Sequence, residues 1–219
     1  VFVHGYMQTP SAFLYMRYRM KKRGWGKTFV VHLRPRTAPV ELLAEVIMRK
    51  VEEIKRVTGQ PRVVLVAHSL GGLASMYYIE KLGGNASVHR AVLIGTPFRG
   101  TKLSILGLGA NARQMRYKNA FLSSLFQPNM QTSVPVLACQ IIPDNLIIPN
   151  HSALPPFMAK TTVVRAMGHL GCLFSEELLD EILKFAEAET SPSTALVAPS
   201  TPTPPVPPTT EPKGQVSAT

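Results

Sequence analysis

The stretch VVLVAHSLGG, residues Val63 to Gly72, places a run of apolar residues directly before a serine that is flanked by small residues. An unbroken apolar run of this length is typical of a parallel strand that is covered on both faces. The pattern Ala67-His68-Ser69-Leu70-Gly71 is a variant of the G-x-S-x-G turn with alanine in the first position. The flanking residues must be small because strand and helix cross closely there, and the strained turn exposes the serine hydroxyl. Ser69 is therefore a candidate nucleophile, and an ordinary glycine turn after a buried strand is the simpler alternative.

Strand-like and helix-like segments alternate on both sides of this turn. The predicted strands are RVVLVAHS itself and, in chain order, VFVHG, TFVVHL, RAVLIGTP, VPVLACQII and TTVVRAM. The predicted helices are TPSAFLYMRYRMKKRG, APVELLAEVIMRKVEEIKRVTG, LGGLASMYYIEKLGG and SEELLDEILKFAEAE. One face of the second helix carries Leu43, Ile47, Val51 and Ile54. The repeated βα units predict an α/β fold, with a mostly parallel central sheet of about six strands and helices on both faces.

Composition divides the chain into two parts. Residues 190–219 are rich in proline, threonine and serine, so we expect a disordered or polyproline-like tail. Residues 1–189 form the predicted domain, because a chain of 219 residues that is 45% hydrophobic can build one substantial core. Residues 101–132 are the least regular part of it. The segment QMRYKNAFLSSLF suggests an amphipathic helix, and residues 101–132 form either a cap over the site or an ordinary crossover between strands.

The chain is strongly basic, with a formal net charge of +11. Six cations and no acid occur between Arg17 and Lys27, and no acidic residue lies between Glu80 and Asp144. The sequence contains no zinc-finger or RNA-recognition motif, so nucleic acid is not an expected partner. The charge predicts attraction to an anionic membrane surface, with a solvated basic face as the alternative.

Cysteine content and the start of the chain set further limits. Cys139 and Cys172 are too few for a disulfide framework and stand in no metal-binding motif, so they form one bridge or remain as buried thiols. No apolar run approaches the ~20 residues of a membrane-spanning helix. The sequence starts at Val1 rather than Met, so we expect an absent or processed N-terminus. A signal peptide there would favour a secreted or cell-envelope location.

A serine nucleophile needs a base, and the base needs an acid that orients it. The chain has two aspartates. Asp180 lies among the glutamates of the last predicted helix, where a solvated helix face explains it. Asp144, in IIPDNLIIP, follows a predicted strand, which is where an orienting acid is expected. The alternative is a simple turn, since Pro-Asp-Asn is a good turn sequence.

Six histidines compete for the role of base. His169, in RAMGHLGCLFS, lies in a loop between a predicted strand and a helix, as Ser69 does. Such loops meet at the carboxyl edge of a parallel sheet, so the two side chains are expected to lie close together. The others are placed in or before strands (His32, His89), at the end of the first strand (His4), beside the nucleophile (His68) or too near Asp144 along the chain (His151).

As a set, five pieces of the sequence resemble the small lipases of the α/β-hydrolase superfamily, in particular the minimal bacterial type of triacylglycerol lipase. The pieces are VFVHG, VAHSLGG, GTPFRGT, PDNLIIPNHSAL and GHLGCLFS, and they follow one another in the expected order over residues 1–175. The order Ser69, Asp144, His169 is also that of the α/β-hydrolase triad. The resemblance implies an α/β-hydrolase fold in a minimal version that starts at the His-Gly strand.

The resemblance also implies an activity and a set of site residues. By position, it assigns the two oxyanion-hole donors to the backbone N–H groups of Tyr6 and Leu70. It implies hydrolysis of lipid esters through an acyl-enzyme, with no cofactor and no metal. A structural calcium is not expected, because Asp180 would be the one aspartate left to bind it. The elbow and its supporting residues are expected to be His4, Gly5, Ala67, His68 and Gly71.

Two kinds of alternative stay open. The same triad would serve a phospholipase, a thioesterase or an acyltransferase. A non-catalytic lipid-binding scaffold would keep the fold without the reaction. An intact set of serine, aspartate and histidine argues for an enzyme over a pure binding protein.

Overall fold

Six strands form one sheet in the order β2-β1-β3-β4-β5-β6, and each of the five neighbouring pairs is parallel. The structure is a computed structural model that describes residues 1–128 and 130–188. The strands are β1 (Phe2–Val3), β2 (Val30–Val31), β3 (Val63–His68), β4 (Val88–Ile94), β5 (Val136–Ile142) and β6 (Lys160–Arg165). This sheet confirms the predicted α/β fold.

Helices follow every strand except β5 and cover both faces of the sheet. They are α1 (Leu14–Lys22), α2 (Val40–Thr58), α3 (Leu70–Lys81), α4 (Ala110–Gln114), α5 (Ala120–Leu125), α6 (Gly168–Gly171) and α7 (Glu176–Glu187). Residues Val1–Ala188 form one compact unit. The predicted tail, residues 190–219, lies outside the described residues. Among the helices that the structure describes, none combines the length and apolar character needed to cross a membrane.

The strand before the serine shows how the sheet is buried on both sides. Leu65 and Ala67 of β3 belong to a core cluster that also contains the apolar face of α2. Val66, which points the opposite way, belongs to a second cluster with residues of α1 and α7. The unbroken apolar run of β3 is therefore explained by two covered faces.

The amphipathic pattern of α2 is reproduced by its packing. Its predicted apolar face is fully buried, with exposed fractions of 0–3% at Leu43, Ile47, Val51 and Ile54. The helix ends at Gly59, which adopts a left-handed conformation with φ of 71°. Glycine reaches this region at little cost, which is why it commonly follows a helix.

Two local predictions differ from the structure. The strand predicted over TFVVHL is reduced to Val30–Val31, which pairs with β1 at the edge of the sheet. The single helix predicted over residues 114–126 is wrong, because α4 ends at Gln114 and α5 starts at Ala120. Between them, Met115 O accepts a hydrogen bond from the Thr101 N–H at 2.8 Å, and the Lys118 N–H donates to Arg99 O at 2.9 Å. These backbone groups bond to the segment after β4 and leave the helical pattern.

Candidate active site

Ser69 occupies a strained turn between β3 and α3. Its backbone has φ of 55° and ψ of −123°, in a region that residues other than glycine rarely adopt. The Ser69 N–H donates to Ile94 O at 2.8 Å, which ties the turn to the end of β4. The serine is thus held at the carboxyl edge of the sheet, where the loops after the other strands also end.

Two glycines allow α3 to start so close to the sheet. A Cβ atom at Gly71 would lie 2.6 Å from the carbonyl oxygens of Val3 and His4. A Cβ atom at Gly72 would lie 1.9 Å from Thr96 Oγ1. Neither position can hold a larger side chain without displacing the backbone or the loop after β4. Ala67, at the end of β3, is fully buried.

His169 and Asp144 form a buried pair. His169 Nδ1 lies 2.7 Å from Asp144 Oδ2. The other carboxylate oxygen, Oδ1, accepts hydrogen bonds from the N–H groups of Leu146 and Ile147, both at 2.8 Å. These contacts hold the carboxylate as an acceptor, so Nδ1 of the neutral imidazole carries the proton. His169 Nε2 is buried and makes no hydrogen bond within residues 1–128 and 130–188.

The backbone of His169 is fixed at both of its polar groups. Its N–H donates to Asn145 Oδ1 at 3.0 Å, and its carbonyl oxygen accepts from His68 Nε2 at 3.0 Å and from Cys172 Sγ at 3.0 Å. Burial lowers the pKa of His68 well below its usual value and raises the pKa of Cys172 to about 12. His68 is therefore neutral and Cys172 is a thiol near neutral pH.

The two cysteines are not bonded to each other. Like Cys172, Cys139 is a free, buried thiol.

The loop after β1 forms a tight turn beside the serine. His4 is buried, and its Nε2 accepts a hydrogen bond from the Leu33 N–H at 3.1 Å. Gly5 follows, and a Cβ atom there would lie 2.9 Å from Ser69 Cβ. The Tyr6 hydroxyl accepts from the Leu108 N–H at 2.7 Å and lies 3.0 Å from the Leu108 carbonyl oxygen, to which it can donate. The Tyr6 side chain therefore links the turn after β1 to the segment after β4.

The backbone N–H groups of Tyr6 and Leu70 are among those at this edge that have no acceptor in the part of the chain that the structure describes. Leu70 is the first residue of α3, so its N–H has no partner inside the helix and lies at the positive end of the helix dipole. Leu70 directly follows Ser69, and Tyr6 directly follows Gly5, whose Cβ position lies next to Ser69.

A cavity of about 300 Å³ opens onto these groups. Its walls are mainly apolar, and Ser69 and His169 lie among them. The lining also includes Tyr6, Gln8, Leu103, Leu106, Ala112, Met115, Leu146, Ile147 and Leu170. A larger cavity, of about 460 Å³, lies around Thr58, Arg62 and Val63, at the opposite end of β3. The smaller cavity is the candidate site because it alone of these two holds the serine and the histidine.

The sequence-predicted residues meet at one edge of the sheet. The structure places Ser69, Asp144 and His169 at the ends of β3, β5 and β6, and Tyr6 and Leu70 in the turns after β1 and β3. The pair of Asp144 and His169 is in direct contact, whereas no hydrogen bond joins Ser69 to His169 within the described ranges. Asp180 lies on α7 and pairs with Arg23, away from this edge. His151 is exposed, with its Nε2 3.3 Å from the Tyr117 hydroxyl.

The sequence analysis assigned no role to three further residues of the site. Gln8 accepts a hydrogen bond from the Gly5 N–H, and Asn145 accepts one from His169. Gly95 leaves room for the imidazole, since a Cβ atom there would lie 3.0 Å from His169 Cε1. Gly95 does stand in the GTPFRGT piece, but its proximity to His169 depends on the sheet order.

Most of the described residues around the cavity are poor metal ligands. No group of three or more His, Cys, Asp and Glu side chains with the geometry of a metal site occurs in residues 1–128 and 130–188. The expected absence of a metal in the site stays a prediction.

Only part of the positive charge is available at the surface. Arg90 is 5% exposed, and its guanidinium lies over the ring of Phe185 at 5.2 Å. Arg19 and Arg23 form ion pairs with Glu176 at 2.8 and 2.7 Å. In contrast, exposed cations follow the end of β4 without an ion pair in the described ranges: Lys102, Arg113, Arg116 and Lys118.

The parallel sheet, the strained serine after β3 and the buried aspartate–histidine pair define a hydrolase of the α/β class. Residues 1–212 match the alpha/beta hydrolase family, and the chain belongs to that family.

Solved structures show the same fold at low sequence identity. A crystal structure of the lin2722 gene product from Listeria innocua has a TM-score of 0.67 and 16% identity, and the match covers 88% of this chain and 95% of that one. The mature form of a lipase from Bacillus licheniformis has a TM-score of 0.71 and 18% identity, over 84% of this chain and 89% of that one. A thermophilic esterase from Thermogutta terrifontis has a TM-score of 0.56 and 15% identity, over 84% and 88%.

Proposed function

We propose that this protein is a serine carboxylic-ester hydrolase that acts on lipid esters. The observation that carries the proposal is the arrangement at one sheet edge of a strained serine and a buried histidine–aspartate pair beside an apolar cavity. Two of the similar structures are described as a lipase and an esterase, which supports an ester as the substrate. The apolar cavity favours an acyl chain over a polar group.

In the proposed reaction, Ser69 Oγ attacks the ester carbonyl while His169 Nε2 takes the hydroxyl proton. Asp144 holds the ring with Nε2 free and stabilises the imidazolium that forms. The oxygen of the tetrahedral intermediate accepts hydrogen bonds from the N–H groups of Tyr6 and Leu70. His169 then protonates the leaving alcohol, which departs and leaves an acyl-enzyme on Ser69. Water, deprotonated by His169, then attacks the acyl carbonyl, and the acid is released as His169 returns the proton to Ser69 Oγ.

The site chemistry also suits other acyl esters. Phospholipids, thioesters and transfer of the acyl group to another alcohol would use the same three side chains. The cavity favours no particular leaving group, because its polar lining is confined to the catalytic residues proposed here and a few neighbours such as Gln8, Thr101 and Ser104.

We further propose that this enzyme binds anionic lipid surfaces through the rim of the cavity. The rim patch is defined by Ile105, Leu106 and Leu108, whose exposed fractions are 70%, 81% and 72%. Leu106 also lines the cavity, so a surface bound by the rim patch would face its opening. Lys102 and Arg113 are exposed in the same segment, and cations next to exposed aliphatic side chains suit anionic headgroups.

The first experiment measures hydrolysis of p-nitrophenyl esters of rising chain length, together with labelling by a fluorophosphonate. The expected result is turnover that increases beyond short acyl chains, and labelling that is lost in Ser69→Ala. The matched control is Ser75→Ala, a buried serine of α3 whose hydroxyl makes no hydrogen bond in the described ranges. An unlabelled, inactive wild-type protein would favour a non-catalytic scaffold. Near-normal turnover in Ser69→Ala would overturn the assignment of the nucleophile.

A further inference from the structure

We infer that Gln8 is a positioning residue that holds the Tyr6 N–H in place for the reaction; this inference rests on the proposed function. Two hydrogen bonds close the turn from Gly5 to Gln8. The Gln8 N–H donates to Gly5 O at 3.3 Å, and the Gly5 N–H donates to Gln8 Oε1 at 2.7 Å. One residue thus ties both polar groups of Gly5 and encloses Tyr6 between the two ends.

The turn that Gln8 closes is strained. Met7 has φ of 53°, a left-handed conformation that is uncommon for residues other than glycine. Such a residue persists where the surrounding contacts force it. The side-chain bond from Gln8 opposes relaxation of the turn because it fixes the Gly5 N–H, one peptide before the one that carries the Tyr6 N–H. The carbonyl oxygen of Gly5 is held separately, by the Gln8 N–H and by His4 Nδ1 at 3.1 Å. Without that bond we expect Met7 to move toward negative φ and the Tyr6 N–H to change direction.

The amide of Gln8 is also packed against the rest of the site. The point where a Gly5 Cβ would lie is 3.1 Å from Gln8 Oε1, 3.1 Å from His68 Nδ1 and 2.9 Å from Ser69 Cβ. His68 Nε2 donates to the carbonyl oxygen of His169, so the neutral imidazole has no proton on Nδ1, and the 3.2 Å approach of His68 Nδ1 to Gln8 Oε1 is a packing contact only. Gln8 therefore supports the turn that carries one donor and borders the side chain that fixes His169.

Displacement of the Tyr6 N–H would reduce the stabilisation of the transition state more than the binding of the substrate. The oxyanion forms only when Ser69 attacks, so the loss is expected in kcat, with little change in KM. Loss of one oxyanion-hole donor typically costs ~10²–10³ in rate, and a displaced donor costs part of this. We expect a decrease in kcat of about 10- to 100-fold when the bond from Gly5 to Gln8 is removed.

The test compares Gln8→Met and Gln8→Asn with Gln60→Met. Met keeps the length of the side chain without an acceptor, and Asn keeps the amide but falls short of the Gly5 N–H. Gln60 is exposed at the far end of β3 and serves as the matched control. The readouts are kcat and KM on one p-nitrophenyl ester, the Ki of an alkyl trifluoromethyl ketone, and the melting temperature. The serine hydroxyl adds to the carbonyl of this ketone, which forms an oxyanion in the position that the oxygen of the tetrahedral intermediate would occupy.

A second arm tests the strain directly. In the Gln8→Met background, Met7→Gly removes the cost of a positive φ, because glycine populates that region readily. We expect the double variant to regain at least a fivefold increase in kcat over Gln8→Met. A merely structural role for Gln8 would lower the melting temperature without this recovery.

The expected result is a fall in kcat in both Gln8 variants, a matching rise in the Ki of the ketone, and no change in Gln60→Met. A kcat within twofold of wild type in both Gln8 variants would overturn the inference. So would a loss of kcat with an unchanged Ki, or a double variant no more active than Gln8→Met. If the wild-type protein neither hydrolyses esters nor reacts with the fluorophosphonate, the proposed function fails and the inference falls with it, before any variant is compared.

Discussion

His169 Nδ1 lies 2.7 Å from Asp144 Oδ2, and the two side chains are exposed by only 2% and 1%. The second carboxylate oxygen is held by the N–H groups of Leu146 and Ile147, so the carboxylate cannot rotate freely. This fixes both the orientation and the tautomer of the imidazole. The pair thus leaves His169 Nε2 as the nitrogen that is available for proton transfer.

Replacing Asp144 with asparagine tests this arrangement. In Asp144→Asn, the side-chain amide can present an N–H to Nδ1, which would then favour the tautomer with the proton on Nε2. That tautomer cannot accept the proton of Ser69, and the same change in serine proteases lowers kcat by about 10⁴-fold. We expect a decrease of up to ~10⁴ in kcat on p-nitrophenyl esters.

Asp180→Asn is the matched control for this prediction, because Asp180 lies on α7 with a side chain that is 63% exposed. It should keep kcat within twofold of wild type. A decrease of twofold or less in Asp144→Asn itself would mean that a glutamate or a water molecule orients His169 instead.

The space around the imidazole can be tested at Gly95. A Cβ atom there would lie 3.0 Å from His169 Cε1 and 3.1 Å from Nδ1, and the residue has φ of 52°. In Gly95→Ala, we expect the ring to shift by a few tenths of an ångström and kcat to fall by about 10- to 100-fold. The left-handed conformation also predicts a loss of about 1–2 kcal/mol in the free energy of unfolding.

Gly59→Ala separates these two effects. Gly59 has φ of 71° with nothing within 4 Å of the position of a Cβ atom. Its alanine variant should lose similar stability in urea unfolding and keep its kcat. Equal values of kcat in Gly95→Ala and Gly59→Ala would show that the ring tolerates the added methyl group.

The sheet was predictable because each of its elements has a local sequence pattern. The apolar run of β3, the amphipathic face of α2 and the glycines after Ser69 depend on neighbours within a few residues, and the α/β fold follows from their alternation. The proximity of Asp144 to His169 could be anticipated in the same way, since parallel strands end at one edge.

The remaining features depend on contacts between distant segments. The break between α4 and α5 arises because Met115 and Lys118 bond to the backbone at Arg99 and Thr101, and no periodicity in residues 114–126 reports this. The burial of Arg90 under Phe185 likewise takes one cation away from the surface, which a count of charges in the sequence cannot show.

The buried His68 predicts how stability changes with pH. Burial is the main cause that lowers its pKa below the ordinary value of 6.5, so the folded protein keeps it neutral where the unfolded chain binds a proton. The free energy of unfolding should therefore decrease as pH falls through 6.5, with a slope from this group that approaches about 1.4 kcal/mol per pH unit at lower pH. Urea unfolding between pH 7 and pH 5 measures the slope.

His68→Gln removes this proton uptake and should make the slope shallower, even if the variant is less stable at pH 7. His151→Gln, at an exposed position, is the matched control. An identical slope in His68→Gln and wild type would show that other groups account for any acid sensitivity.

The rim patch and its cations predict a lipid-binding preference that depends on salt. Near an anionic surface each Lys or Arg contributes ~1 kcal/mol, an effect that fades within a Debye length of ~8–10 Å. Co-sedimentation with vesicles of phosphatidylcholine, with and without phosphatidylglycerol, should show stronger binding to the anionic vesicles at low salt.

Variants separate the role of the cations from that of the apolar residues. The double variant Lys102→Gln with Arg113→Gln should bind anionic vesicles at least about 10-fold more weakly and should bind neutral vesicles as the wild-type protein does. Ile105→Ser with Leu108→Ser should weaken binding to both, whereas Val57→Ser, at a position 58% exposed on α2, should weaken neither. Equal binding of the wild-type protein to both vesicles, or binding that salt does not change, would show that the positive charge serves solubility alone.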